Sequence, residues 1–338
     1  MSFNINKRDF LIKMPAVIGA ATLAAPAVVN AQNYMASSSG KVGAALEREL
    51  VPVTYCPVSM QKQFQSNEKA VQGKPYADFF NSDIKVPAAW ANGLQHGPLP
   101  LDKTLTPGIA DINKLLDASY TNAIPDSGYA LLDGPCAYVQ SRIEMPGVTA
   151  AMFRWWFTWH PMEKERYMLW FPQAHVDIGI QDAKRLSDTS LTYEQRLYNN
   201  PNPITEFIGA SAMKMVIHFT DPVELGFDAN AYKRAGFTAN ASGIIKPATD
   251  PNTPFIFMVH LARDTDRGLE LFSRYWIGAH PQMRRFPGGA DTAALVSKMG
   301  LSKDSVEQTA YDMAVHDMTE FNHLARLLPA IYAKFGRP

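Results

Sequence analysis

Only two cysteines, Cys56 and Cys136, occur in 338 residues, so no disulfide framework organises this chain. One bridge or two unpaired buried thiols are equally compatible with their spacing. Charge of one sign is lacking as well. Thirty-two Lys and Arg balance thirty-two Asp and Glu, which leaves no overall field to gather nucleic acid or to hold an anionic membrane. The expected partner is a small, largely uncharged molecule. Gly-x-Ser-x-Gly, a Walker loop, a dinucleotide fingerprint and His-Glu-x-x-His are all missing. Their absence removes the usual signatures of serine hydrolases, nucleotide enzymes and zincin proteases. No repeat period appears, and no low-complexity tract beyond a short leader. Histidine and carboxylate remain to carry chemistry.

The N-terminus has the layout of an export signal. Lys7 and Arg8 precede Phe10-Leu11-Ile12, and an apolar run from Met14 to Val29 ends in a small-residue exit at Ala31. The segment from Asn6 to Leu11 resembles a twin-arginine signal with Lys in place of the first Arg. Residues 1–31 are therefore expected to be removed, leaving a periplasmic or secreted protein with no stable membrane association; an uncleaved anchor is the alternative. Residues 32–127 form a polar leader and an accessory region rich in Pro, Gly and Asn. Short helices are expected there at 42–50, 76–80 and 109–120.

From residue 128 to 338 the texture changes. Strands are expected at 130–132 and 137–143, split by Asp133-Gly134-Pro135, then at 167–169, 214–219, 255–262 and 269–276. The last two flank Asp264-Thr265-Asp266-Arg267-Gly268, the clearest hairpin signal in the chain. Residues 150–159 are apolar, aromatic and of helical length. Residues 305–335 place Ala310, Met313, Ala314, Phe321, Leu324, Leu328 and Ile331 at the spacing of a long amphipathic helix. Strands closed by such a helix give an α+β class.

Seven histidine, carboxylate and tyrosine side chains are candidates for chemistry. His316 and Glu320 are four apart on the last helix and share one face, although such a pair is more often an exposed contact. His175 follows an aromatic, Pro-bearing segment, where a half-buried structural histidine is the ordinary explanation. Glu206 stands alone between Ile204-Thr205 and Phe207-Ile208, a carboxylate too costly to bury unless it is paired or bound to metal. His260 follows Phe257-Met258-Val259, and an imidazole in apolar surroundings can act as acid or base. Tyr167 and Tyr275 lie on expected strands, where plain packing also accounts for them.

Together these segments resemble a known family. Trp155-Trp156-Phe157-Thr158-Trp159-His160, Arg166 through His175, Glu206-Phe207-Ile208-Gly209, Val259 through Gly278 and His316-Asp317-Met318-Thr319-Glu320-Phe321 are similar to the diacetylphloroglucinol and phloretin hydrolases. The likeness spans roughly residues 128–335. It implies a zinc ion held by His175, Glu206, His316 and Glu320, whose separations of 31 and 4 agree with the family. Iron or manganese would also tolerate such donors.

The resemblance further implies a helix-grip (Bet v 1-like) fold, a curved antiparallel sheet around a long C-terminal helix. The implied activity is hydrolysis of the carbon–carbon bond between an acyl group and a phenolic ring, releasing a carboxylic acid. His260 is then expected to transfer protons and Tyr167 and Tyr275 to orient the substrate, an acylated phenol. Trp155, Trp156 and Trp276 are candidate aromatic walls. The chain departs from the family at Ile178, where members acting on acylphloroglucinols carry an asparagine, so the particular acyl-phenol stays open. The rival reading is a periplasmic binding module for an aromatic or other hydrophobic molecule, with a structural metal.

Overall fold

Antiparallel strands dominate the chain between residues 127 and 278: β1 Ser127–Leu132, β2 Cys136–Pro146, β3 His175–Ile178, β4 Asn202–Ile208, β5 Ser211–Phe219, β6 Gly243–Pro247, β7 Ile256–Thr265 and β8 Gly268–Gly278. The computed structural model describes residues 49–105, 109–286 and 292–336. Within them these strands form one sheet in the order β1-β2-β8-β7-β6-β5-β4-β3, and Ala239–Asn240 adds a ninth strand beside β7. The hairpin between β7 and β8 turns at Asp266-Arg267, with Thr265 opposite Gly268. Gly268 has φ +128°, and a Cβ there would fall 2.4 Å from the Met145 carbonyl oxygen, so neither the backbone angle nor the space admits another residue.

The central strands are buried on both faces, and alternation sorts their side chains into two cores. On β7, Ile256, Met258 and Ala262 join one core while Phe257, Val259 and Leu261 join the other. On β8, Leu271, Tyr275 and Ile277 face with the first set, whereas Phe272 and Trp276 face with the second. Ile109, Ile112 and Leu115 from the 3-10 segment Ile109–Leu116 pack into that second core.

Four helices matter for the site: α1 Val58–Val71, α2 Ala150–Trp159, α3 Lys164–Trp170 and α4 Lys303–Phe335. Thr149 caps α2, and a Ser302–Ser305 capping box starts α4. Met313, Phe321, Leu324, Leu328 and Ile331 form the apolar stripe that packs α4 into the first core, against β1, β2, β4 and β8. The same helix buries Asp312, His316, Asp317, Glu320 and His323, five titratable groups that an apolar core tolerates only with partners.

The large antiparallel sheet and the long C-terminal helix agree with the α+β expectation. Two local expectations are corrected. Residues 167–169 are helical, inside α3: Tyr167, Met168, Leu169 and Trp170 are all buried, and a short apolar run without alternation does not distinguish strand from helix. Leu50 belongs to the short strand Leu50–Pro52, paired with Lys85–Pro87, and the rest of the helix expected at 42–50 lies outside the described residues apart from Glu49. The fourteen-residue α1 was not anticipated. The export signal also lies outside the described residues. Cys56 and Cys136 are both free thiols, and no described helix is long and apolar enough to cross a membrane.

Candidate metal centre and its cavity

Strand pairing places the first two candidate ligands side by side. His175 opens β3 directly opposite Glu206 on β4, and a register irregularity follows between His175 and Asp177. From the facing helix, His316 and Glu320 approach from successive turns of α4. His175 Nε2 lies 3.3 Å from Glu320 Oε2 and 3.7 Å from Glu206 Oε2. His316 Nε2 lies 3.7 Å and 3.9 Å from the same two atoms. His175, His316 and Glu320 offer ligand atoms that all fall within 4.8 Å of one another, and Glu206 flanks that trio through its contacts with both imidazoles.

The proton positions follow from the hydrogen bonds. His175 Nδ1 faces the Tyr167 carbonyl oxygen at 3.1 Å and His316 Nδ1 faces the Phe207 carbonyl oxygen at 3.1 Å. A carbonyl only accepts, so each Nδ1 carries the hydrogen and each neutral ring turns a bare Nε2 toward the carboxylates. Both Nε2 atoms are buried without a hydrogen-bond partner. Lone pairs therefore face lone pairs, an arrangement that protons or a cation must reconcile. Burial and the neighbouring His316 push His175 well below its ordinary value, and burial takes His316 down to about 4. Burial raises Glu206 to about 7, and burial together with Glu206 and Asp317 raises Glu320. Donors bound to one zinc at about 2.0–2.2 Å stand within roughly 4.4 Å of each other, and all four separations satisfy that limit. The residues fit a divalent metal.

Tyr167 belongs to this centre. Its hydroxyl donates to Glu206 Oε2 at 2.5 Å, and its ring stacks on His175 with centroids 3.8 Å apart. Trp170 Nε1 donates to the Glu320 carbonyl oxygen at 3.0 Å and so ties α3 to α4.

A second polar group lies beside it on the sheet. Ser141 on β2, Ser273 on β8 and His260 on β7 are register partners on adjacent strands. Asp317 of α4 accepts from Ser141 Oγ and Ser273 Oγ, both at 2.5 Å, and from the Tyr275 hydroxyl at 3.1 Å. Burial raises the Asp317 carboxyl, opposed by the three hydroxyls and by the charge of the buried Arg274. Ser273 spends its one hydrogen on Asp317, so its lone pair accepts from His260 Nδ1 at 3.0 Å. His260 Nε2 is then a bare acceptor, 3.2 Å from the Tyr275 hydroxyl. Burial lowers His260 to about 3 and raises Tyr275, so both stay neutral.

One cavity joins the two groups, lined by Glu206, His316 and Glu320 and by Tyr167, His260 and Tyr275. Six of the seven expected site residues thus line one space, and His175 contacts two of them, Glu206 and Glu320, without lining it. Trp276 does not take part: it lies in the second core, because even-numbered positions of β8 face away from the helix. Phe157, Trp170 and Phe219, rather than Trp155 and Trp156, supply aromatic walls beside Tyr167. Sequence reasoning missed Asp317, Ser141, Ser273, Asn202 and His160. Ser141 and Ser273 carried a usable signal, polar residues at inward positions between Val139 and Ile143 and between Leu271 and Tyr275. Asp317 carried less, since an acid beside His316 reads as a solvated helix face.

Known proteins resemble this chain over most of its length. Residues 105–333 match the family model described as the DAPG hydrolase PhiG domain. A 2,4-diacetylphloroglucinol hydrolase of Pseudomonas protegens is 47% identical over 291 residues, covering 86% of this chain and 94% of the relative. Another, from a Pseudomonas species, is 46% identical over 291 residues, covering 86% and 98%. A phloretin hydrolase of Eubacterium ramulus is 25% identical over 269 residues, covering 77% and 89%. Among solved structures, that of Ara h 8.0201 matches with TM-score 0.27 and 8% identity, over 54% of this chain and 99% of the other, too distant to support a fold assignment.

Proposed function

This chain belongs to the DAPG hydrolase family, and from that premise we propose that it hydrolyses the carbon–carbon bond between an acyl carbonyl and a phenolic ring of the acylphloroglucinol type, aided by a divalent metal. The observation that carries the reading is the meeting of an unsatisfied His–Glu cluster and a neutral His–Tyr pair on one cavity. His175, Glu206, His316 and Glu320 would hold the metal, zinc by preference for mixed imidazole and carboxylate donors. When bound, such an ion supplies Lewis acidity toward a carbonyl or an activated water. The sheet and the long helix closing over a ligand cavity support a helix-grip reading of the fold.

The remaining steps belong to the protein's own groups. The balance is acyl–aryl ketone plus water to carboxylic acid plus arene, so one proton must leave the attacking water and one must reach the departing ring carbon. His260 Nε2 is held as an acceptor by the Ser273–Asp317 chain, and the Tyr275 hydroxyl beside it keeps its proton. A couple that accepts one proton and delivers another returns to its starting state after each turnover. His260 therefore serves as acceptor and Tyr275 as donor in the resting enzyme, a sharper division than proton transfer by His260 alone. Asp317 and Ser273 are positioning residues that fix the His260 tautomer. Tyr167 orients Glu206, and the apolar walls keep bulk water from the departing ring.

The test is to incubate protein of measured metal content with diacetylphloroglucinol and phloretin and to follow carboxylic acid release. Release that chelation abolishes and zinc restores is the expected result. Silence from fully loaded protein on both ketones would leave the binding module as the better reading.

A further inference from the structure

Asn202 is a polar side chain of the cavity that none of these steps uses and that lacks a full set of partners. It is 1% exposed, opens β4 and lines the same cavity as His260 and Tyr275. Its Nδ2 donates to the Asn200 carbonyl oxygen at 2.7 Å. Because a carbonyl can only accept, that bond fixes the amide orientation and leaves Oδ1 as the free atom. Oδ1 is buried and has no partner. Its register partner on β5 is Ile217, which lines the cavity together with Ile178 and Ile204. A buried carbonyl oxygen in such a place costs free energy until a donor reaches it.

Its position defines which donor. Asn202, Ile204 and Glu206 alternate onto the inner face of β4, so Asn202 sits four residues, about 13 Å at the strand rise, from the ligand Glu206. One acylated aromatic ring bridges such a span when its acyl group meets the metal cluster. We infer that Asn202 is a specificity-determining residue whose Oδ1 accepts a hydrogen bond from the ring hydroxyl para to the acyl group. The inference rests on the acyl-phenol reading above for the orientation of the ring. It names a requirement on the substrate: a hydroxyl, not an ether or a hydrogen, at the end remote from the metal cluster. A site built to receive a hydroxyl rejects the analogue that lacks it, since the unpartnered acceptor is then sealed in.

Binding separates this inference from the reaction. Quenching of tryptophan fluorescence in metal-loaded protein gives dissociation constants for trihydroxyacetophenone, with hydroxyls at both ortho positions and the para position, and for the dihydroxy analogue lacking only the para hydroxyl. The wild type should prefer the first by about tenfold to a hundredfold. Asn202→Leu, matched in size, should bring the ratio to about one by weakening only the trihydroxy ligand, with metal content unchanged. Asn202→Ser, smaller but still an acceptor, should keep part of the preference and serves if the leucine variant does not fold. Equal affinities in the wild type, or an equal preference in wild type and variant, would overturn the role of Asn202. Absence of acid release while the preference holds would count against the hydrolytic reading and leave this one standing.

Discussion

Two buried polar groups face the same sheet from one helix, and they differ in whether the protein completes them. The Asp317 carboxylate is closed: Oδ2 receives the Ser141 hydroxyl, Oδ1 receives those of Ser273 and Tyr275, and Ser273 passes the chain to His260, whose Nε2 lies beside the Tyr275 oxygen. The metal cluster is open: His175 and His316 each satisfy Nδ1 with a backbone carbonyl and leave Nε2 without a partner, aimed at two carboxylates. The helix supplies His316 to one group and Asp317 to the other, adjacent residues with opposite fates. A closed network holds a proton pattern fixed; an open cluster is completed only by what binds it.

The largest effect should come from breaking the open cluster. Glu320→Gln removes one ligand charge, and we expect it to abolish tight metal binding and to lower acid release by at least about 10³-fold. Stability gives the sharper readout. In metal-free protein, Glu206 and Glu320 have folded pKa values above the ordinary 4.5, so they favour folding at low pH and that benefit fades as pH rises toward about 7. His175 and His316 are lowered from 6.5, so they favour the folded state above that value and penalise it as pH falls. Between pH 4.5 and 6.5 the two pairs oppose, and the metal-free melting temperature should change little. Metal-loaded protein needs all four groups deprotonated, so its extra stability should disappear on acidification. Melts with and without chelator across this range check the signs. Glu320→Gln should erase the metal-dependent rise yet leave the metal-free protein at least as stable, because it removes a buried carboxyl that has no donor of its own.

Breaking the closed group should do the reverse. Asp317→Asn keeps the volume but forces its amide hydrogens against hydroxyls that were donating. The expected cost is about 1–3 kcal/mol of stability and about 10²-fold or more in kcat, with metal content intact. Nitrogen NMR of His260 should show its hydrogen no longer confined to Nδ1. Loss of metal from Asp317→Asn, or an unchanged kcat, would remove the distinction between the two groups.

What the sequence made legible follows the same line. The β7–β8 hairpin and the sheet positions of His260 and Tyr275 were readable because alternation around Asp264 to Gly268 admits one register. The shared face of His316 and Glu320 was readable from helix spacing, but the separation of 31 only through family likeness, since His175 and Glu206 meet by strand pairing across a loop of unpredictable path. Tyr167 reads as a strand residue and sits on α3, because four consecutive buried residues carry no periodicity. Asp317 was passed over for a physical reason: its partners Ser141 and Ser273 lie 176 and 44 residues away, and hydroxyl donors leave no mark in helical spacing.

The smallest expected effect tests how far the open cluster reaches into the N-terminal part of the chain. Asn67 of α1 is fully buried, and its Nδ2 donates to the Pro172 carbonyl oxygen at 2.9 Å and to the His175 carbonyl oxygen at 2.7 Å. Gln63 Nε2 donates in turn to Asn67 Oδ1 at 2.8 Å. The amide thus pins the backbone on both sides of the segment that delivers His175, the proposed ligand whose ring is otherwise hydrogen-bonded by the Tyr167 carbonyl and packed against Tyr167 and Trp170. Asn67→Ala leaves two buried carbonyls unpaired, which should cost about 1–2 kcal/mol of stability. If α1 were only a cover, that cost would be the whole effect. If α1 orients the ligand, metal affinity should fall as well, by up to about tenfold, while kcat of the fully loaded enzyme stays near the wild-type value. Titrating metal-free Asn67→Ala with zinc against a competing chelator separates the two, because a cover changes the melting temperature without moving the metal isotherm.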